Sequence, residues 1–151
     1  MSTPSLMIFA AGFGTRMGQL THETPKPMLP LNGVPMIDHA LELARQADVE
    51  TVVANVHYLS EKIAPHLREC GVTVVEEFPD ILETGGGLKV ARPHLSSPSL
   101  TLNPDALWQG PNPLRYLMEH WRETAEALLL DVPLGRAKGR VGGGGFGLKG
   151  D

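Results

Sequence analysis

The feature that most constrains the fold is an apolar strand that runs directly into a glycine turn near the start of the chain. Residues 6–10, LMIFA, are uninterrupted apolar positions, which predicts a strand covered on both faces, as in a parallel sheet. Gly12 and Gly14 follow. A backbone without Cβ atoms can turn sharply there and bring its N–H groups close to a ligand. The pattern predicts a ligand site at the end of this strand, or otherwise only a tight strand-to-helix connection.

Two cationic side chains follow this turn. Arg16 offers a fixed charge and a planar fork of donors, and Lys26 lies between two prolines that restrict the backbone on both sides of it. A glycine turn with two converging cations suits the phosphates of a nucleoside triphosphate. The dinucleotide fingerprint requires a third glycine where Met17 stands, and the Gly-Lys-Ser/Thr ending of the Walker loop is absent. The pattern therefore supports neither of those two motifs.

The rest of the chain alternates between strand and helix patterns. Strands are predicted at 51–56, 72–75, 100–102 and 127–132, and helices at 35–47, 60–67, 88–91 and 111–121. Ser60 is expected to cap the second helix and Gly71 to end it, whereas Pro113 is tolerable only in a first helical turn. Because strands alternate with helices, we predict a single α/β domain over residues 1–151, with a doubly wound, mostly parallel sheet and helices on both faces.

Ligands of such sheets lie outside the carboxyl ends of the strands. Three segments fall there: the Gly12 turn, residues 83–87 and Asp105. A carboxylate facing a triphosphate suits Mg²⁺, which prefers one or two carboxylates together with phosphate oxygens. The alternative for Asp105 is a turn residue, since it follows Pro104. His57, at the end of the second strand, is either structural or a substrate contact.

Composition excludes several classes of function. The formal net charge of −4 provides no basic field for nucleic acid or an anionic membrane, and the single cysteine, Cys70, permits no intrachain disulfide. No secretory signal opens the chain and no apolar stretch approaches membrane-spanning length, so a cytoplasmic protein is expected. Zinc-like spacing with the cysteine is not apparent for His22, His39, His66, His94 or His120.

The segments AAGFGTRM and PKPMLP, separated by a short gap, resemble the signature of the sugar-1-phosphate nucleotidyltransferases. The resemblance extends over residues 6–146. It implies a Rossmann-like nucleotidyltransferase fold and an enzyme that joins a sugar 1-phosphate to an NTP, giving an NDP-sugar and pyrophosphate. The likeness is strongest to small bacterial uridylyltransferases, which implies UTP and a place in cell-wall precursor synthesis and peptidoglycan recycling. A cytidylyl-, guanylyl- or thymidylyltransferase, or a nucleotide-binding module without turnover, are the alternatives.

The resemblance also implies roles for individual residues. Arg16 and Lys26 are the expected catalytic residues, with Arg16 at the β- and γ-phosphates and Lys26 at the α-phosphate; Asp105 is expected to bind Mg²⁺. The expected nucleotide-binding residues are Ala10, Ala11, Gly12, Phe13, Gly14, Thr15, Arg16, Lys26 and a second loop, Glu83, Thr84, Gly85, Gly86 and Gly87. This second loop is expected to place the base against its backbone.

The chain departs from the family pattern in three places. Pro104 occupies a position that is usually small, and Gly145 stands where similar proteins carry an aspartate. Family members also continue beyond residue 151, and that continuation would supply the sugar-phosphate pocket and a second metal-binding aspartate. We therefore expect the sugar-binding portion to be largely missing, which leaves open whether these 151 residues alone are active. Trp108, close after Asp105, is expected to pack in the core or to line a sugar pocket.

Overall fold

The computed structural model describes residues 4–139, in which strands and helices alternate. The strands are β1 (Ser5–Phe9), β2 (Pro30–Leu31), β3 (Val34–Pro35), β4 (Val52–Val56), β5 (Thr73–Glu76) and β6 (Ser99–Leu102). The helices are α1 (Met36–Gln46), α2 (Ser60–Glu69), α3 (Glu83–Ala91) and α4 (Pro113–His120). Up to residue 121 every predicted element is present, and all but the third helix agree to within two residues at each end.

Four strands form one parallel sheet in the order β5-β4-β1-β6. Leu6 of β1 pairs with Val52 on one side and with Leu100 on the other, so β1 is central. The carboxyl ends of all four strands lie at one edge of the sheet. The three segments predicted to bind a ligand follow β1, β5 and β6, so the strands that lead into them all end at this edge.

The core has two layers because successive residues of a strand point to opposite faces of the sheet. Leu6 and Ile8 pack with buried residues of α1, α2 and α4, whereas Met7 packs with Val53 and with Ala91 of α3. Leu6, Met7 and Ile8, the middle residues of β1, are fully buried. Helices cover both faces, which confirms the predicted doubly wound arrangement.

Local signals at the helix ends were predicted with mixed success. Gly71, with φ +77°, follows Cys70 at the end of α2. Pro113 is the first residue of α4, where the Asn112 side chain accepts bonds from two backbone N–H groups. The prediction that Ser60 caps α2 was wrong. Ser60 is the first helical residue, and Leu59, with no side-chain acceptor, occupies the capping position.

Two predictions fail in the described residues, and one element was not predicted. The strand predicted at 127–132 is absent: the segment is irregular and Leu129 is exposed, because an apolar run becomes a strand only when a neighbour supplies its hydrogen bonds. Residues 83–87, predicted as a loop, form the first turns of α3. The β2–β3 hairpin was not predicted, although Asn32 and Gly33, both with positive φ, are a strong hairpin signal.

None of the helices in residues 4–139 combines the length and apolar character needed to cross a lipid bilayer. The segment at 142–146, including Gly145, lies outside the described residues.

Candidate nucleotide-binding site

The glycine turn after β1 is fixed by its contact with Lys26. Gly14 has φ +64°, and a Cβ there would lie 2.9 Å from the Cβ of Lys26 and 3.0 Å from Cγ2 of Thr21. The Thr21 hydroxyl donates to the carbonyl of Gly14 at 3.1 Å. Glycine is therefore required at this position both by backbone conformation and by space. The turn and Lys26 form one packed unit although twelve residues separate them.

A cavity of about 270 Å³ lies at this edge of the sheet. Its lining comes from three parts of the chain: Phe9, Ala10, Gly12, Gly14, Thr15, Arg16, Met17, Lys26, Pro27, Met36, Asn103, Pro104 and Asp105. The structure thus brings Arg16, Lys26 and Asp105 to the same cavity as the glycine turn. Ala11, which is buried, and Phe13 do not line it.

Lys26 and Asp105 form an ion pair across the cavity. Lys26 Nζ donates to Asp105 Oδ2 at 2.8 Å, and the side chains are 32% and 48% exposed. An ion pair this exposed stabilises a fold by only about 0–1 kcal/mol, because water already solvates both charges. The pair can therefore open at little cost when a ligand offers each partner a new counter-charge.

The donors at the cavity fit a hard divalent cation. Asp105 follows β6 with its carboxylate half exposed, so it can add phosphate oxygens and water to a shared coordination sphere. Mg²⁺ takes such sets, whereas dedicated all-protein cages are uncommon for it. Asp105 is the residue that would hold the ion, and Lys26 would then be released towards a phosphate.

Sequence reasoning missed a buried polar network beside the cavity. Asn55 and Glu77 are each only 3% exposed. The backbone N–H of Ala10 donates to Asn55 Oδ1 at 3.0 Å, and Asn55 Nδ2 donates to Glu77 Oε1 at 2.7 Å. Glu77 Oε2 accepts from the backbone N–H of Leu82 at 2.7 Å. The network ties the ends of β1 and β4 to the start of α3, and it leaves the Ala10 N–H unavailable to a phosphate.

The three glycines at 85–87 are explained in part by this network. A Cβ at Gly87 would lie 2.6 Å from both Asn55 Nδ2 and Glu77 Oε1, so only glycine lets α3 pack over the pair. Residues 83–87 do not line the cavity around Lys26. Their predicted contact with a nucleotide base stays a prediction. The signal that could have revealed the network was Asn55, an amide placed late in an otherwise apolar strand.

The structure shows the surroundings of His57 and Trp108, the two ring side chains considered as substrate contacts. His57 Nδ1 lies 2.8 Å from the carbonyl oxygen of Glu77, and the ring of Phe13 packs edge-on against His57 at 5.5 Å. Trp108 lies in a groove of about 680 Å³ between β6 and α4, which shares Asn103 and Asp105 with the cavity. Its indole nitrogen is buried without a partner among the described residues. His57 is thus held by a structural contact, and the proposed sugar contact of Trp108 stays a prediction.

The fold is that of Rossmann-like nucleotidyltransferases. A solved nucleotidyl transferase from Methanothermobacter superposes with a TM-score of 0.65 at 27% identity, covering 77% of this chain and 56% of that one. The family profile described as the MobA-like NTP transferase domain matches residues 6–138. The chain therefore belongs to the MobA-like NTP transferase domain family.

Relatives at similar identity differ in the nucleotide that they are named for. The chain is 39% identical over 110 residues to the N-acetylmuramate alpha-1-phosphate uridylyltransferase of Caulobacter vibrioides, covering 68% of this chain and 46% of the relative. It is 36% identical to the mannose-1-phosphate guanyltransferase of Debaryomyces hansenii, over 70% of this chain and 31% of the relative. It is 39% identical to the 2-aminoethylphosphonate cytidylyltransferase of Lancefieldella rimae, over 51% and 31%. The chain thus spans less than half the length of these curated relatives.

Proposed function

We propose that this chain carries the nucleotide-binding part of an enzyme that joins a sugar 1-phosphate to an NTP and releases pyrophosphate. The observation that carries the proposal is the cavity itself, in which a glycine turn, Arg16, Lys26 and Asp105 meet although they are spread over about 90 residues. Each group has a use with a polyphosphate. Family membership supports the reaction class.

The chemistry proposed is an in-line displacement. An oxygen of the sugar phosphate attacks the α-phosphorus of the NTP, the bond to the β-phosphate oxygen breaks, and pyrophosphate leaves with the negative charge. The sugar phosphate is already ionised, so the reaction requires positioning and charge stabilisation rather than a strong base. Lys26 neutralises charge that develops at the α-phosphate, and Arg16 binds the departing pyrophosphate.

The glycine turn and Asp105 complete the proposed division of roles. Gly12 and Thr15 line the cavity, and their backbone N–H groups are the proposed donors to phosphate oxygens. A Mg²⁺ ion bound at Asp105 would offset the charge of the triphosphate. Opening of the Lys26–Asp105 pair would then coincide with nucleotide binding.

UTP is the proposed nucleotide, supported by the relative named as a uridylyltransferase, which is matched over 68% of this chain. N-acetylmuramate 1-phosphate is accordingly the first sugar phosphate to test, with cell-wall precursor metabolism in the cytoplasm as the proposed setting. The relatives named for GTP and CTP chemistry keep those nucleotides in the same experiment.

The test is a binding and turnover panel. Calorimetry with Mg²⁺ and each of UTP, CTP, GTP and dTTP should show one nucleotide bound best, and pyrophosphate release should then require a sugar 1-phosphate. Absence of binding for every NTP would refute the proposed site.

A second candidate is a nucleotide-binding module without turnover. It is favoured by one observation, that Pro104, a departure from the family pattern, lines the cavity beside Asp105. Tight NTP binding without pyrophosphate release from any sugar phosphate would select this candidate over the enzyme.

A further inference from the structure

A cluster of three potential metal ligands lies between α1 and α2, and none of its members lines the nucleotide cavity. Asp38 comes from the first turn of α1. His66 and Cys70 are separated by four residues at the end of α2, a spacing that places two side chains on one face of a helix. One ligand atom from each residue lies within 4.8 Å of the other two.

The three side chains converge on one atom. His66 Nε2 lies 2.6 Å from Asp38 Oδ1 and 4.0 Å from Cys70 Sγ. The same ring nitrogen therefore faces both the carboxylate and the thiol. The sequence gives little sign of this arrangement. The expectation of no zinc-like spacing concerned histidines and the cysteine alone, whereas Asp38 supplies the third group here. The third group is supplied by a helix 28 residues earlier.

The donor set and its dimensions suit a zinc-type ion. Thiolate, imidazole and carboxylate are the three ligand types that zinc uses, at about 2.0–2.3 Å. Tetrahedral angles at those lengths require roughly 3.3 Å between nitrogen and oxygen and roughly 3.6 Å between nitrogen and sulfur. The observed 2.6 and 4.0 Å differ from these by amounts that side-chain rotation can supply. An ion would replace the direct contact between His66 Nε2 and Asp38 Oδ1.

The surroundings of the cluster favour a cation. Asp38 contributes one carboxylate, and Glu69, the neighbour of Cys70 in the chain, contributes a second. Binding of a divalent ion would release the thiol proton of Cys70.

We propose that Asp38, His66 and Cys70 form a divalent transition-metal site of zinc type that fastens α1 to α2, with water as the fourth ligand. Three protein ligands and one open position are compatible with tetrahedral zinc. The site has no part in the proposed transfer reaction, so the two proposals stand or fall separately.

Cobalt provides a specific test because Cys70 is the only cysteine in the chain. The full chain, freed of metal with a chelator, is titrated with Co²⁺. A near-ultraviolet thiolate-to-cobalt charge-transfer band should appear and saturate at one ion per chain, and Zn²⁺ should abolish it by competition. A Co²⁺ ion bound at Asp105 would produce no such band. Absence of the band at saturating Co²⁺ would overturn the proposal.

Variants separate ligation from general electrostatics. Cys70→Ser should abolish the band, and His66→Gln and Asp38→Asn should each weaken Co²⁺ binding by about tenfold or more. Glu69→Gln is the matched control: it removes a charge beside Cys70 but no ligand, and its affinity should stay close to that of the parent chain. Equal weakening by Glu69→Gln and Asp38→Asn would show a diffuse charge effect and reject the site.

A measurement on the unaltered chain does not depend on how the variants fold. Saturating Zn²⁺ should slow alkylation of Cys70 by iodoacetamide by about tenfold or more, since a coordinated thiolate is shielded from the reagent. An alkylation rate that is unchanged by Zn²⁺ would equally overturn the proposal.

Discussion

Two oppositely charged side chains at the cavity are paired with each other. The Lys26–Asp105 contact of 2.8 Å satisfies both charges, and their partial exposure keeps the contact weak. A nucleotide with its metal would exchange this one pair for two stronger interactions. The pair thus holds both groups close to their proposed positions before the ligand arrives.

The role of Lys26 can be tested by its removal. Lys26→Ala should lower kcat for pyrophosphate release by about 100-fold, which corresponds to about 3 kcal/mol for one charged contact made in the transition state. Lys89→Ala, which removes an exposed lysine outside the cavity, is the matched control. Turnover of the Lys26 variant within about threefold of the parent chain would exclude the proposed role.

Removal of the Asp105 charge tests the proposed metal contact. Asp105→Asn should shift the Mg²⁺ dependence of nucleotide binding to concentrations about tenfold higher or more, since an amide is a weaker ligand for a hard cation. Stability should change by only about 0–1 kcal/mol, because the lost ion pair is exposed. A Mg²⁺ titration that superimposes on that of the parent chain would remove Asp105 from the metal site.

Among the elements, α3 shows how two neighbouring side chains can require glycine at one position of a helix. Its glycines were expected to face a base, yet Gly87 packs directly over Asn55 and Glu77. Gly85, two residues earlier in the same helix, has open space around a hypothetical Cβ. A glycine-to-alanine substitution should therefore have opposite effects on stability at the two positions.

Gly87→Ala should destabilise the fold by about 1–3 kcal/mol, because its methyl group would displace two buried polar side chains. Gly85→Ala should instead stabilise it by about 0.5–1 kcal/mol, since alanine is a better helix former and nothing obstructs it. Urea unfolding of both variants provides the comparison. Equal effects of the two substitutions would contradict the packing described for Gly87.

At the scale of the whole molecule, the Asn55–Glu77 network connects the ends of β1 and β4 to the start of α3. Ala10 lines the cavity, whereas the side chains of Asn55 and Glu77 lie behind it and do not. A buried network of this kind fixes the relative position of the elements it connects, provided that every polar group is satisfied. The position of the Gly12 turn thus depends on residues more than 40 positions away in the chain.

Asn55→Ala should lower the free energy of unfolding by about 2–4 kcal/mol, because it leaves both the Ala10 N–H and Oε1 of Glu77 without their partner. Asn103→Ala, an exposed asparagine after β6, is the matched control and should change stability by less than about 0.5 kcal/mol. Chemical denaturation measures both. A loss below about 1 kcal/mol for Asn55→Ala would show that the network contributes little to the fold.

The sequence by itself determined the parallel α/β architecture, because an alternation of buried strands and amphipathic helices permits few other packings. It also determined the glycine turn, the two cations and the acidic strand end, since these are properties of short segments. It could not determine whether residues 127–132 form a strand. Their composition is strand-like, but a strand also requires a hydrogen-bonding neighbour, and the tertiary structure decides whether one is present.

Only the tertiary structure decided which distant side chains meet. The pairing of Lys26 with Asp105, the burial of Glu77 beside Asn55, and the approach of Asp38 to His66 and Cys70 all join segments that no local pattern connects. Each arises because parallel strands gather their carboxyl ends at one edge, or because two helices pack on the same face of the sheet. The sequence specifies the chemical groups of each residue, whereas the packing of the fold determines which other residues those groups contact.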